Sequence, residues 1–188
     1  MMSEIPVLET PRLRLRGHTL ADLEACTAMW GDPDTTKHIG GRPFTAEESW
    51  ARVLRYAGHW ALLGYGFWAI EEKASGTYIG DTGIADFKRE IESPLSGCPE
   101  VGWAIVASAR GKGYATEAMQ AVTAWGDVRF KGATTVCIID LDNQPSMRVA
   151  EKSGYCRVGT VDYKGNPIML FSRVPVVAKA AVSPAARR

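Results

Sequence analysis

The chain has 188 residues with 22 basic and 21 acidic side chains, for a net charge of +1. That balance supplies no strong field for nucleic acid or an anionic membrane, and no apolar run approaches the roughly 20 residues of a membrane span. The length fits one domain (1–188) with a real hydrophobic core, and Cys26, Cys98, Cys137 and Cys156 lack the paired spacing of a zinc site.

The opening Met-Met-Ser-Glu-Ile-Pro carries no signal-peptide pattern, so a cytoplasmic location with reduced thiols is expected. Pro11 to Arg16 alternates Leu with Arg and predicts a strand with one wet face. Thr19 caps a predicted helix through about Trp30, with Leu23, Cys26 and Trp30 on its apolar side. Residues 31–44, rich in Gly and Pro, predict a loop. Thr45-Ala-Glu-Glu48 matches a capping box and opens a helix to about Leu63. Its apolar set reads as Trp50, Val53, Leu54, Ala57 and Ala61. Residues 65–71 and 78–87 predict a hairpin turning at Ala74-Ser75-Gly76, and 88–99 a loop. A strand follows over 100–106. A helix from Tyr114 to about Phe130 presents Ala115, Ala118, Met119, Val122, Trp125 and Gly126 on one face. Thr134 to Ile139 is β-branched and apolar, a buried strand. A short helix precedes Gly154, and residues 155–163 and 168–174 form a second hairpin turning at Lys164-Gly165-Asn166. Residues 176–188 read as a mobile tail.

The turn between the strand at 100–106 and the next helix is the most informative segment. Arg110, Gly111, Lys112 and Gly113 form a tight glycine turn that opens onto a helix N-terminus. Glycines allow close backbone approach, and the helix end adds unpaired N–H groups and a positive dipole. Such a turn suits a phosphate or pyrophosphate. A P-loop needs a longer turn ending in Gly-Lys-Ser/Thr, which is missing. A dinucleotide fingerprint would need a third glycine where Thr116 stands, and a nicotinamide enzyme is the weaker alternative. A third pattern, Arg/Gln-x-x-Gly-x-Gly/Ala, is met by Arg110, Gly113 and Ala115.

A second motif follows in Asp142-Asn143-Gln-Pro-Ser146-Met-Arg-Val-Ala-Glu151-Lys152-Ser-Gly154-Tyr155. Asn143 is a plausible N-cap, Pro145 is tolerated in the first turn, and Gly154 can end the helix in a left-handed conformation. Taken with the Arg110–Ala115 turn, this segment resembles the GNAT acetyltransferases. Thr10-Pro-Arg-Leu-Arg-Leu-Arg16 and Trp30-Gly-Asp-Pro-Asp34 are similar to the branch that includes the ribosomal-protein N-terminal acetyltransferases. The likeness covers roughly residues 8–173. It implies an α/β fold: a mixed, mostly antiparallel sheet splayed at its centre, flanked by helices, with acetyl-CoA as co-substrate in the split and no metal.

On that resemblance the pyrophosphate is anchored by the turn, with Arg110, Gly111, Lys112, Gly113, Tyr114, Ala115 and Thr116 around it. Ile105 and Val106 offer backbone to the pantetheine and the thioester carbonyl, and Asn143 contacts the cofactor. Glu100, on the strand leading to the turn, is the expected proton acceptor. Many family members carry a tyrosine acid where this chain has Ala150, leaving Ser146 as the nearest substitute. The loop from Asp32 to Phe44 is the expected acceptor lid, with Asp32, Asp34 and Asp86 available to attract an amine. No cysteine or serine shows the base and orienter of a nucleophile, so acetyl should pass directly to the amine. The acceptor is a protein N-terminus or a small-molecule amine, and the protein a monomer or homodimer. A CoA-binding module with weak or lost catalysis is the alternative, kept open by Ala150.

Overall fold

The computed structural model describes residues 4–93 and 95–175; the tail expected at 176–188 lies outside them. In chain order the elements are β1 (Leu8–Glu9), β2 (Leu13–Arg16), α1 (Leu23–Trp30), α2 (Pro33–Thr36), α3 (Ala46–Leu63), β3 (Phe67–Glu72), β4 (Thr77–Ala85), β5 (Glu100–Ile105), α4 (Tyr114–Arg129), β6 (Thr135–Asp140), α5 (Gln144–Lys152), β7 (Cys156–Tyr163) and β8 (Asn166–Arg173). The strands form one sheet in the order β1-β2-β3-β4-β5-β6-β8-β7.

Every neighbouring pair in the sheet is antiparallel except β5 and β6. Those two run parallel and meet at a single register pair, Glu100 with Val136. β5 stays paired with β4 along its whole length, from Glu100 to Ile105. The sheet therefore opens into a wedge just past Glu100, and one edge of β5 is left without a strand partner.

Alternation along the strands fills two layers. Trp68, Ile70, Ile79 and Ile105 join Met119 and Val122 of α4, whereas Ala69, Tyr78 and Ala104 join Cys26, Met29, Trp30 and Val53 of α1 and α3. Trp60, from α3, meets Trp68 and Trp125 edge-on at centroid distances of 4.7 and 5.7 Å. Fully burying such side chains contributes roughly 1.5–3 kcal/mol each.

Local capping chemistry sets several boundaries. Thr45 and Glu48 make both arms of the capping box that starts α3. The Asn143 carboxamide oxygen accepts the Ser146 N–H at 3.2 Å and starts α5. Residues 31–44 are not all loop, because the Asp32 side chain caps the short helix α2 by accepting from Asp34 N–H and Thr35 Oγ1. The apolar face assigned to α3 also needs correction. Val53 is buried, but Trp50 and Leu54 are 36% and 51% exposed, and Ala57 and Ala61 lie outside too. The buried stripe is Ser49, Val53, Tyr56 and Trp60. Tyr56 and Trp60 carry polar atoms that find partners inside: Tyr56 Oη donates to Asp81 at 3.2 Å and Trp60 Nε1 to the Phe67 carbonyl at 2.9 Å.

Candidate active site

The wedge beside β5 holds a cleft of about 490 Å³. Its floor is Trp103, Ala104 and Ile105 of β5; one wall is the turn and first residues of α4, and the other is the first turns of α5. Gly111 and Gly113 have φ of +76° and +82°, the left-handed region that glycine enters without a Cβ penalty. Gly113 is the N-cap of α4 and offers no capping side chain, so the first N–H groups of that helix stay available to an anion. Arg12 steadies the turn from outside by donating to the Lys112 carbonyl at 2.9 Å and pairing with Glu117 of α4 at 2.6 Å.

Register decides which backbone groups of β5 face the cleft. Val106 donates its N–H to Ile79 at 2.9 Å, and β5 continues as Ile105 opposite Gly80 and Ala104 opposite Asp81. Antiparallel pairs alternate between hydrogen-bonded and non-bonded. Gly102 and Ala104 therefore turn their backbone groups toward β4, and Trp103 and Ile105 turn theirs to the open side. The Ile105 carbonyl accepts Arg110 Nε at 3.0 Å.

Of the residues expected around the cofactor, Ile105, Arg110, Gly111, Gly113, Tyr114, Ala115, Thr116 and Asn143 line this cleft; Val106 and Lys112 are not among its lining residues. Arg110 also reaches back to Thr35 Oγ1 at 2.6 Å, tying the turn to α2. Ser146 lines the cleft, and its hydroxyl makes no hydrogen bond to any described residue. Ala150 is fully buried in the core and does not reach the cleft.

A second cavity of about 270 Å³ meets the first end to end. His38, Ile39, Trp103, Ala104, Asn143 and Ser146 line both. Aromatic rings of Trp30, Phe67 and Phe87 form much of its remaining wall, together with Arg52, Arg89 and Glu100. Both Glu100 oxygens are occupied by Arg89, through Nε at 2.6 Å and Nη2 at 2.8 Å, and Arg89 Nη1 donates to Tyr163 Oη at 2.7 Å. Burial opposes the Arg89 charge, but the bonds to Glu100 and Tyr163 outweigh it and raise its pKa above the ordinary value. Asp86 lies outside both cavities and pairs with Lys88, and Asp32 is used as the α2 cap; Asp34 lines the first cleft.

Two features escape sequence reading. His38 sits where the cavities meet, its Nδ1 3.4 Å from Asp140 Oδ1, and no described residue bonds its Nε2. Behind the second cavity, fully buried Asp81 accepts from His18 at 2.7 Å, Trp30 Nε1 at 2.9 Å, Tyr56 Oη and Tyr78 Oη at 2.7 Å. That network fixes Trp30, whose ring faces the cavity. No sequence spacing joins these residues; only the pairing of α1 and α3 against β4 does.

Burial pushes the Cys26 thiol up to about 12 and the Cys137 thiol well above its ordinary value, so neither is a thiolate at neutral pH. No group of His, Cys, Asp and Glu among the described residues is arranged to hold a metal, and no described helix is long and apolar enough to cross a membrane.

Comparison with known proteins agrees with this geometry. A solved Bordetella pertussis protein assigned to the GNAT acetyltransferases is 30% identical and superposes with a TM-score of 0.78, over 90% of this chain and 99% of that one. The Bacillus subtilis protein YkkB is 29% identical over 174 residues, 88% of this chain and 94% of its own. RimL, a ribosomal L7/L12 alpha-N-protein acetyltransferase solved in complex with coenzyme A, shares the fold at 17% identity, with a TM-score of 0.70 over 90% of this chain and 98% of that one. Residues 12–155 match the family described as the acetyltransferase (GNAT) domain, and the chain belongs to that family of acyltransferases.

Proposed function

We propose that this enzyme carries an acetyl group from acetyl-CoA directly to the primary amine of a small acceptor. The observation that supports this most is the end-to-end meeting of the two cavities over the free edge of β5. The larger cleft suits the cofactor, with its pyrophosphate at the N-terminus of α4 and its pantetheine along Trp103 and Ile105. The outward N–H groups of that edge are preorganised donors for the oxygen charge that develops in the tetrahedral intermediate. The smaller cavity suits the acceptor.

A primary amine is mostly charged at neutral pH and must lose a proton before attack. We assign that proton to His38. His38 lines both cavities, Asp140 Oδ1 lies 3.4 Å from its Nδ1, and no described residue bonds its Nε2. The sequence expectation gave this role to Glu100, but Arg89 engages both of its oxygens. We assign Glu100 to attracting and orienting the ammonium. Ser146, at the junction with a free hydroxyl, is assigned to deliver a proton, directly or through water, to the departing CoA thiolate. Two buried thiols held protonated favour direct transfer over a cysteine acyl-enzyme.

The test is CoA thiol release from acetyl-CoA against a panel of primary amines, with mass detection of the acetylated product. At least one small amine should be acetylated at saturable rates. Tight acetyl-CoA binding with no release above hydrolysis for any amine would overturn the reading.

A further inference from the structure

We infer that the acceptor is an amino-acid-sized amine bearing a carboxylate, held through Arg52. This rests on the acetyl-transfer reading and narrows its acceptor. Arg52 lines the smaller cavity, and none of the described residues places a carboxylate within ion-pairing distance of it. Its Nε is buried without a hydrogen-bond partner, and its one hydrogen bond among the described residues runs from Nη1 to Tyr56 Oη at a long 3.3 Å. Every other arginine lining either cavity except Arg148 is engaged: Arg89 by Glu100, and Arg110 by Thr35 and the Ile105 carbonyl. Of the two arginines lining the smaller cavity, Arg52 is the one with donors to spare.

The setting is built. The Arg52 guanidinium lies 3.8 Å from the centre of the Trp30 ring and 4.8 Å from that of Phe44, and those two rings stack on each other. Contact with the two rings holds the guanidinium in place, and the edge formed by its Nη groups is left to meet an anion. A carboxylate, with two oxygens side by side, fits such an edge in a bidentate manner. The Asp81 network holds both Trp30 and Tyr56 in place, yet its own oxygens are taken by four donors and it sits one layer behind. Asp81 thus positions the arginine without satisfying it.

Size and polarity select the rest of the molecule. A cavity of about 270 Å³ walled by Trp30, Phe67, Phe87 and Trp103 takes a single ring or branched apolar side chain, not a long polycation. Arg55, 5.5 Å from the Phe87 ring, adds a further positive group on this side; burial and then the charges of Arg52 and Arg89 lower its pKa from the ordinary value.

Matched acceptors test this: phenylalanine, its amide and phenethylamine, and likewise tryptophan and tryptamine, followed by CoA release. The carboxylates should show kcat/KM at least roughly tenfold above the matched amide and amine, chiefly through KM, as a charged bidentate pair gives. Arg52→Met, verified as folded by its melting curve, should erase that ratio, and Arg52→Lys should restore only part of it. A second arm needs no turnover: with CoA bound, N-acetylphenylalanine should raise the melting temperature of the intact protein and not of Arg52→Met, while N-acetylphenethylamine raises neither. Amide or amine used as well as the acid, or a ratio that survives Arg52→Met, overturns the inference. If no amine releases CoA but the N-acetyl acid still stabilises through Arg52, acetyl transfer fails and the carboxylate site stands. If protein N-termini are acetylated while the free acids neither react nor bind, the site is not the one inferred.

Discussion

Replacing His38 with Ala removes the group assigned to take the amine proton and little else. The ring is 21% exposed on a loop, and its one polar contact among the described residues is the 3.4 Å approach to Asp140. Losing a partly solvated pair of that kind costs about 0–1 kcal/mol of stability. The catalytic cost is far larger: a positioned base contributes roughly 10²–10⁴ in rate, or about 2.7–5.4 kcal/mol at 1.36 kcal/mol per tenfold. The two effects are separable in one preparation, by melting curve and by steady-state CoA release. kcat should fall at least a hundredfold with KM for acetyl-CoA nearly unchanged. Added imidazole should recover part of the rate. Asp140→Asn, which keeps the ring but removes the neighbouring charge, should cost less than His38→Ala. A His38→Ala enzyme within fivefold of the parent refutes the assignment and returns the role to another group.

Glu100→Gln should lower kcat/KM by roughly ten- to thirtyfold, since it breaks the ion pair with Arg89 in the acceptor cavity. A loss in kcat as large as that of His38→Ala would restore Glu100 as the base. Glu48 gives a pH-dependent stability effect. The Arg42 bond, then the Thr45 N–H, hold its carboxyl at about 2, below the ordinary 4.5. Because the folded value is the lower one, its contribution is complete above about 4.5 and disappears as pH falls through about 2. The melting-temperature gap between parent and Glu48→Gln should therefore be open at pH 7 and closed at pH 2; a gap independent of pH contradicts it. On α3, Val53→Ala should cost roughly 2 kcal/mol and Leu54→Ala less than about 0.5 kcal/mol by denaturant unfolding. The reverse order would show that the helix face is wrongly assigned.

Much of the framework is legible in local chemistry. The Thr45–Glu48 box, the Asn143 cap, the glycine turn at 111–113 and the two hairpins all act within a few residues, and each appears where its residues stand. The phase of α3 was not legible, because Leu54 and Ala57 are apolar but face outward. Tyr56 turns inward because Asp81 accepts its hydroxyl there. Which backbone groups of β5 face the cleft depends on the parity of its pairing with β4, and side-chain identity carries no trace of that parity. His38 and Arg52 were silent for a related reason. A histidine in a glycine-rich loop and an arginine in an amphipathic helix look like surface residues until Asp140, Trp30 and the cavity walls are brought beside them.

The most direct test of the account is a thermal-stability titration with acetyl-CoA, CoA and NADH, run on the intact protein and on Gly113→Trp. A ligand at a hundred times its Kd adds about 2.7 kcal/mol to the folded state. Both CoA species should raise the melting temperature of the intact protein, NADH should not, and the variant, with a bulky side chain at a φ of +82° in the turn, should respond to none. An intact protein that ignores CoA, or answers only to NADH, would contradict the placement of acetyl-CoA in the cleft beside β5.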